Sequence, residues 1–365
     1  MTEVADGVPE TGAKIECRAS DSFTGWLAEL PGSIAVTTYQ AGKLALIGWR
    51  GQQPTLLMRE FDKPMGLAVA PGQWALATRN EITFFADAPL LAADYLVNEP
   101  KRYDALYLPR ASYYTGDLNV HDLAFVGDDL WMVASRFSCL AGLSRQHCFE
   151  PRWKPPFVSE IVPEDRCHLN GLAVADGQPK YVTALGETDV VGGWRDKKAT
   201  GGLMMDVQSN EVLLRGLSMP HSPRWAGGRL WLLNSGAGEL LCYDPAQKEA
   251  RVVTVLPAYL RGLCIIGRYA VVGMCQIRER HIFGGLPVQS RFEKLLSGIA
   301  VIDLSTGRTV GLFEFTAGCT EIYDVQFLPG VRQPTVLNRL DDVTRDAFPA
   351  PNFSYWLRPG NMIPS

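Results

Sequence analysis

Histidine is scarce in this chain, at five of 365 residues, and the patterns that announce most enzymes are missing altogether. There is no HExxH, no GxSxG, no P-loop and no GxGxxG opening a helix, so no reaction class follows from a motif. No apolar run reaches 18 residues, and the N-terminal stretch MTEVADGVPETGAKIE has no basic region followed by an apolar one. These absences argue against a helical membrane span and against export, so a cytoplasmic location is expected. The formal net charge is -4, and no basic cluster is longer than Arg195-Asp196-Lys197-Lys198, which leaves no electrostatic footprint for nucleic acid. None of the eight cysteines forms a CxxC pair. Several lie inside apolar runs such as Gly262-Leu263-Cys264-Ile265-Ile266, as expected of buried thiols in a reducing compartment.

What the chain does contain is a repeat. HDLAFVGDDLWMVASR at 121–136 and HSPRWAGGRLWLLNSG at 221–236 overlay without a gap. The same scheme, an apolar run, a glycine-rich turn and a second apolar run with an aromatic, starts near 24, 65, 121, 170, 221, 261 and 323. The shorter spacings match the roughly 40 to 50 residues of a four-stranded propeller blade, and the longer ones imply insertions. The runs are β-branched or aromatic, bounded by Gly, Asp and Pro, and few have a helical period. An all-β fold is expected, a β-propeller with seven blades favoured and six as the alternative. A sandwich would not need one motif seven times.

The last copy lacks third and fourth strands, so the ring is expected to close through an N-terminal strand, Lys14-Ile15-Glu16-Cys17, pairing into the last blade. Without a Pro/Ser-rich linker, residues 14–345 are expected to form one propeller domain. Residues 1–13 would then be a flexible N-terminus and 346–365 a C-terminal extension. Trp74, Trp131, Tyr181, Trp231 and Tyr269 share one second-strand position and are expected to be buried packing residues.

In a propeller the first strand of each blade lines the channel, so the repeat contributes to one shared site. The first-position residues are Thr24, Met65, His121, Asn170, His221, Arg261 and Tyr323, followed by Gly25, Gly66, Asp122, Gly171, Ser222, Gly262 and Asp324. Arg136, Glu187 and Asn234 leave second strands on the same face, as His281 does after the sixth copy. Four of the five histidines, His121, His168, His221 and His281, fall on this face, and only His147 lies outside it. Imidazoles beside carboxylates can ligate a metal or transfer protons near neutral pH. The candidate catalytic residues are His121, His221 and Glu187, and one divalent metal ion on His121, His168 and His221 is the candidate cofactor. Asp122, Arg136, His168, Asn170, Asn234, Arg261, His281, Tyr323 and Asp324 are the candidate binding residues. Each strand-end polar residue has a plainer alternative, that it caps a turn. Three irregular stretches, 101–120, 186–195 and 278–294, are expected to cover this face as a lid.

The phrases FTGWLAEL, TTYQAGKLALIGW, DKPMGLA, HDLAF, CHLNGLA, VTALGETD, GLSMPHSPRW, LWLLNSGAGEL and RERHIFGGLPVQ resemble those of a bacterial family of conserved hypothetical proteins. The resemblance runs from Cys17 to Gly330 and implies a propeller-like fold with no established reaction. The function expected is therefore small-molecule binding at a histidine-rich end of the channel, with metal-dependent hydrolase, lyase or oxygenase chemistry in view. The alternative is a non-catalytic module for a peptide, glycan or protein partner. No nucleic-acid or membrane partner is expected.

Overall fold

Short apolar runs separated by glycine turns pair with their neighbours in chain order, because hairpins join antiparallel strands at little loop-closure entropy. Gly127 and Gly227, at equivalent hairpins of the two matched segments, both have φ of 60°, a conformation that favours glycine. The computed structural model describes residues 14–277 and 284–358. The repeat becomes six sheets arranged as blades, so the propeller is present with the smaller of the two expected counts.

Blade 1 is built from both ends of the chain. Its inner strand Asp324–Pro329 pairs with Gly32–Thr38, which continues outward to Lys43–Arg50 and Gln53–Glu60. The copies that start near 24 and 323 are thus two parts of one blade, which corrects the count of seven. Thr24-Gly25-Trp26-Leu27 is not a strand. It lies in the helix Asp21–Glu29, which Ser20 caps by accepting from the Phe23 N–H at 3.1 Å. Phe23 and Leu27, one helical turn apart, are buried, and Phe23 packs against Phe313 of the last blade.

The inner strands of blades 2 to 6 are Leu67–Ala70, Val120–Val126, Leu169–Ala175, Pro220–Ala226 and Tyr259–Ile266. Each touches the next, and Tyr259–Ile266 touches Asp324–Pro329, which completes the ring. The N-terminal strand Glu16–Ala19 does not complete the blade of the copy near 323, where it was expected, but adds an outermost fifth strand on Arg308–Ala317 of the preceding blade, and Gly32–Thr38 closes the ring instead. Blade 2 also gains a fifth strand, Pro334–Val336, parallel to its outer strand Ala105–Tyr114. That outer strand occupies half of the stretch 101–120 expected to be irregular. Of the five second-strand aromatics, Trp74, Tyr181 and Trp231 are buried, whereas Trp131 and Tyr269 are half-buried at blade edges. Trp131 is covered by the Arg152 guanidinium 4.7 Å away. Among the described residues no helix is long and apolar enough to cross a membrane. The C-terminal hairpin Ala347–Ala350 and Phe353–Trp356 anchors through Trp356, whose indole N–H donates to the Leu91 carbonyl.

The second-position residues join the inner strands in an alternating scheme. Asp324 of blade 1 accepts from the Leu67 N–H of blade 2 at 3.0 Å. Asp122 of blade 3 accepts from Leu172 of blade 4 at 3.1 Å, and Ser222 of blade 5 accepts from Gly262 of blade 6 at 3.0 Å. The intervening second positions are Gly66, Gly171 and Gly262, and a Cβ there would lie 3.0 Å from Asp122 Cα, 2.3 Å from Pro223 Cδ and 2.9 Å from Asp324 Cα. Glycine is needed because the next blade fills that space, with backbone at Gly66 and Gly262 and with the Pro223 ring at Gly171. Arg224 of blade 5 then bridges the two buried carboxylates, reaching Asp122 at 2.8 Å and Asp324 at 3.1 Å while donating to the Leu263 carbonyl. Asp122 and Asp324, expected to bind a ligand, are engaged in holding the ring together.

Replacing Arg224 with leucine leaves two buried carboxylates facing each other. Urea denaturation is expected to show a loss of about 3–5 kcal/mol. The triple variant Arg224→Leu/Asp122→Asn/Asp324→Asn should recover most of it, and no recovery would mean that arginine packing, not charge, joins the blades.

Candidate functional site

Matched segments build matched environments. Ser135 lies 14 residues after His121 and Ser235 lies 14 after His221, and both seryl oxygens approach their histidine's Nδ1, at 2.8 and 3.4 Å. Asn119 and Met219, two residues before the histidines, have φ of 54° and 47° and direct their carbonyls at Nδ1, at 3.0 and 2.9 Å. A carbonyl only accepts, so both Nδ1 atoms carry the proton and both Nε2 atoms present a lone pair. The Ser135 hydroxyl agrees with this assignment, because it donates to the Leu169 carbonyl and is free to accept from His121.

His168 occupies the corresponding upstream position in blade 4, also with positive φ, 49°. This turn sends its ring toward the channel instead of along the strand. Its Nδ1 lies 2.8 Å from Asp165 Oδ1 and its Nε2 lies 3.1 Å from His121 Nε2. Since the carboxylate and the His121 lone pair both accept, both nitrogens of His168 carry protons. The result is a chain from the Asp165 carboxylate through a His168 imidazolium to a neutral His121. Burial alone would push the Asp165 carboxyl up. The facing His168, the Trp194 N–H at 3.0 Å and Arg195 outweigh it and hold the group below its ordinary range. Trp194, from the stretch 186–195, lies 4.6 Å from His168 ring to ring.

Around this chain the other inner strands contribute His221, whose ring centroid is 6.4 Å from that of His121, and Tyr323, 5.5 Å from His121. The Arg261 guanidinium lies 4.3 Å over the Tyr323 ring and 3.6 Å from Glu321. Tyr259 stands edge-on to His221, and Tyr39 stacks on Tyr323. Burial holds the imidazoles of His121 and His221 well below the usual histidine range, and the nearby Arg261 cation adds to it. Burial also raises the Tyr323 hydroxyl well above the usual phenol range, so it stays protonated. Burial opposes the charge of Arg261, but Tyr323, Tyr259 and Glu321 more than compensate. Among the first-position residues, four buried polar atoms have no hydrogen-bond partner: Asn170 Nδ2, His221 Nε2, Arg261 Nε and Tyr323 Oη.

Five of the expected residues are thus brought together, His121, His168, His221, Arg261 and Tyr323. Asn170 is buried on the adjoining strand with its side-chain carbonyl held by Thr183 at 2.7 Å. Three others are engaged with partners away from this cluster. Arg136 pairs with Asp117 at the surface, Glu187 pairs with Arg215 at the surface, and Asn234 accepts from the Ser218 N–H while donating to Glu239. His281 lies outside the described residues. Asp165, Tyr259, Glu321 and Arg224 were missed. Three of the four had a signal, because His168, Tyr259 and Glu321 all stand two residues before a first-position residue, and Asp165 stands three before His168.

Among the described residues, no group of three or more His, Cys, Asp or Glu is arranged to hold a metal ion. The centre expected on His121, His168 and His221 is not assembled. The first two are in hydrogen-bond contact, His221 stands apart from them, and Arg261 supplies a fixed cation that a metal ion would have to face. Two surface hollows among the described residues lie elsewhere, one of about 530 Å³ between Pro109 and Arg345 and one of about 780 Å³ along Gly284–Ser290.

A family model described as a domain of unknown function (DUF4915) matches residues 21–337. No curated protein matches the chain. Among solved structures, a chain from the crystal structure of a nidogen/laminin complex is similar, with 10% identity and a TM-score of 0.53. The match covers 82% of this chain and 98% of that one, and at this identity it bears on the fold alone.

The depressed histidines make stability pH-dependent. In the unfolded chain they take protons near pH 6.5, and in the fold they resist them, so their contribution is complete above pH 6.5 and lost as pH falls below it. Each is expected to remove up to about 1.4 kcal/mol per pH unit. Asp324 acts in the opposite sense, since burial raises its carboxyl to about 6 despite Arg224, so it gains stability as pH falls through that value. Melting temperatures from pH 7.5 to 5.5 should therefore fall less steeply in His121→Gln/His221→Gln than in wild type. Equal slopes would show that these imidazoles are not buried neutral.

Proposed function

The chain belongs to this family of unknown function, and we propose that its members' propeller, as this chain folds it, binds a small molecule at the histidine-rich end of the channel. The observation that carries the reading is the set of unpartnered atoms on three different blades, His221 Nε2, Arg261 Nε and Tyr323 Oη. Buried polar atoms are nearly always satisfied, and leaving one unmade is unfavourable by about 1–3 kcal/mol. Three beside one another mark a place adapted to a partner from outside the chain. A small partner is favoured over a macromolecular one because the residues bearing these atoms are at most 8% exposed, too little surface for a protein or glycan to engage.

Acid-base chemistry is a second reading, supported by the Asp165-His168-His121 chain. A carboxylate holding an imidazolium against a second, neutral imidazole can move a proton between two sites without exposing a charge to solvent. Metal chemistry is not needed for it.

Ligand-induced melting shifts test the binding reading. A panel of monocarboxylates, hydroxy acids, amino acids and sugars is screened against wild type, His221→Ala and the exposed control His147→Ala. At least one compound is expected to raise the melting temperature of wild type and of the control and to leave His221→Ala unmoved. A panel that shifts all three proteins alike, or none, counts against the site. Stoichiometric transition metal in protein purified without chelator, lost in His221→Ala, would replace the hydrogen-bonded reading with a metal centre.

A further inference from the structure

Resting on that binding reading, we propose that the site takes a small hydroxycarboxylate, with its carboxylate on Arg261 and Tyr323 and its hydroxyl on His221. The hydrogen-bond inventory sets the ligand's pattern. Arg261 Nε–H and the Tyr323 hydroxyl are unpartnered donors on side chains in direct contact, the guanidinium lying 4.3 Å over the phenol ring. A carboxylate supplies two acceptor oxygens for adjacent donors, and hydrogen bonds that involve a charged group are the stronger kind. His221 is different. Its Nδ1 is committed as a donor to the Met219 carbonyl at 2.9 Å, so its unpartnered Nε2 can only accept. The ligand must therefore offer two acceptors on one side and one donor on the other.

Charge narrows the class further. Each cation here already faces a carboxylate, Arg261 with Glu321 at 3.6 Å and His168 with Asp165 at 2.8 Å. A monoanion adds one charge to cations already paired and the doubly charged phosphate adds two, so among anions the singly charged one is the less costly to bury. An ammonium donor toward His221 is disfavoured by the same Arg261 cation that resists protonation of that ring. A hydroxyl donates without adding charge. Burial in a low-dielectric setting sharpens the choice, since a site built to pair with a hydroxyl rejects the analogue that lacks it far more strongly than solution chemistry would suggest.

Saturation-transfer NMR at pH 7.5 and constant ionic strength tests this with five probes: glycolate, acetate, ethylene glycol, glycine and inorganic phosphate. Glycolate is expected to bind wild type at least tenfold more tightly than acetate and more tightly than the other three. Tyr323→Phe, which keeps the ring and removes only the hydroxyl, should weaken both carboxylates. His221→Phe should reduce the preference for glycolate over acetate to less than threefold while acetate still binds. The melting temperature of each variant is recorded, so that a failure to fold is not taken for lost recognition. Preferential binding of phosphate, glycine or ethylene glycol, abolished in His221→Phe, overturns the hydroxycarboxylate and keeps the small-molecule reading. Binding of none of the five overturns the hydroxycarboxylate, and if the wider melting panel is also silent, the small-molecule reading falls with it.

Discussion

Arg224 reaching across the channel to Asp122 and Asp324 is the contact on which the ring's geometry depends. It connects blade 5 to blades 3 and 1, while the two carboxylates accept backbone N–H groups of blades 4 and 2. One guanidinium and two carboxylates thereby involve five of the six inner strands, and the Leu263 carbonyl brings in the sixth. Buried charges tolerate little displacement, because a lost partner leaves an unpaired ion in a medium of low dielectric. The inner strands are accordingly held in one register around the axis. Ring closure by Asp324–Pro329 depends on the same contact, since Asp324 begins the strand that completes blade 1.

A register held this way is what brings distant residues to one place. His121, His221 and Tyr323 stand one residue before Asp122, Ser222 and Asp324, so the contacts that lock the ring also place these three at the same height. The left-handed turns at Asn119, His168 and Met219 then do local work. Two direct carbonyls at Nδ1 and thereby select the tautomer, and the third delivers His168 itself. Positive φ at a residue with a side chain is unfavourable and persists where the surroundings enforce it, which is common at functional sites. The site therefore owes its proton positions to backbone conformation as much as to its side chains.

Several structural results trace to particular residues whose sequence signal was ambiguous. Thr24-Gly25-Trp26-Leu27 imitates the repeat, yet Ser20 as a cap and Phe23 and Leu27 at helical spacing outweigh it. The stretch from Ala105 to Tyr114 reads as irregular because of Pro109 and its polar residues. It pairs as an outer strand, where a proline is tolerated at a bulge. Arg136, Glu187 and Asn234 have the polar character of site residues, but each finds a partner within reach of its own turn or neighbouring strand. Composition cannot separate a residue that faces a ligand from one that faces its neighbour.

The sequence by itself determined the all-β class, the propeller repeat, the shared first-position set and the convergence of His121, His168 and His221 on one end of the channel. These follow from local pattern: strand runs, turn glycines and a fixed offset within each copy. Only the tertiary structure decided that there are six blades, because strand pairing between chain ends leaves no local trace. It also decided that Asp122 and Asp324 join the ring, because Arg224 lies about a hundred residues from each. The pairing of His168 with His121 was likewise a tertiary result, since that contact crosses from one blade to the next.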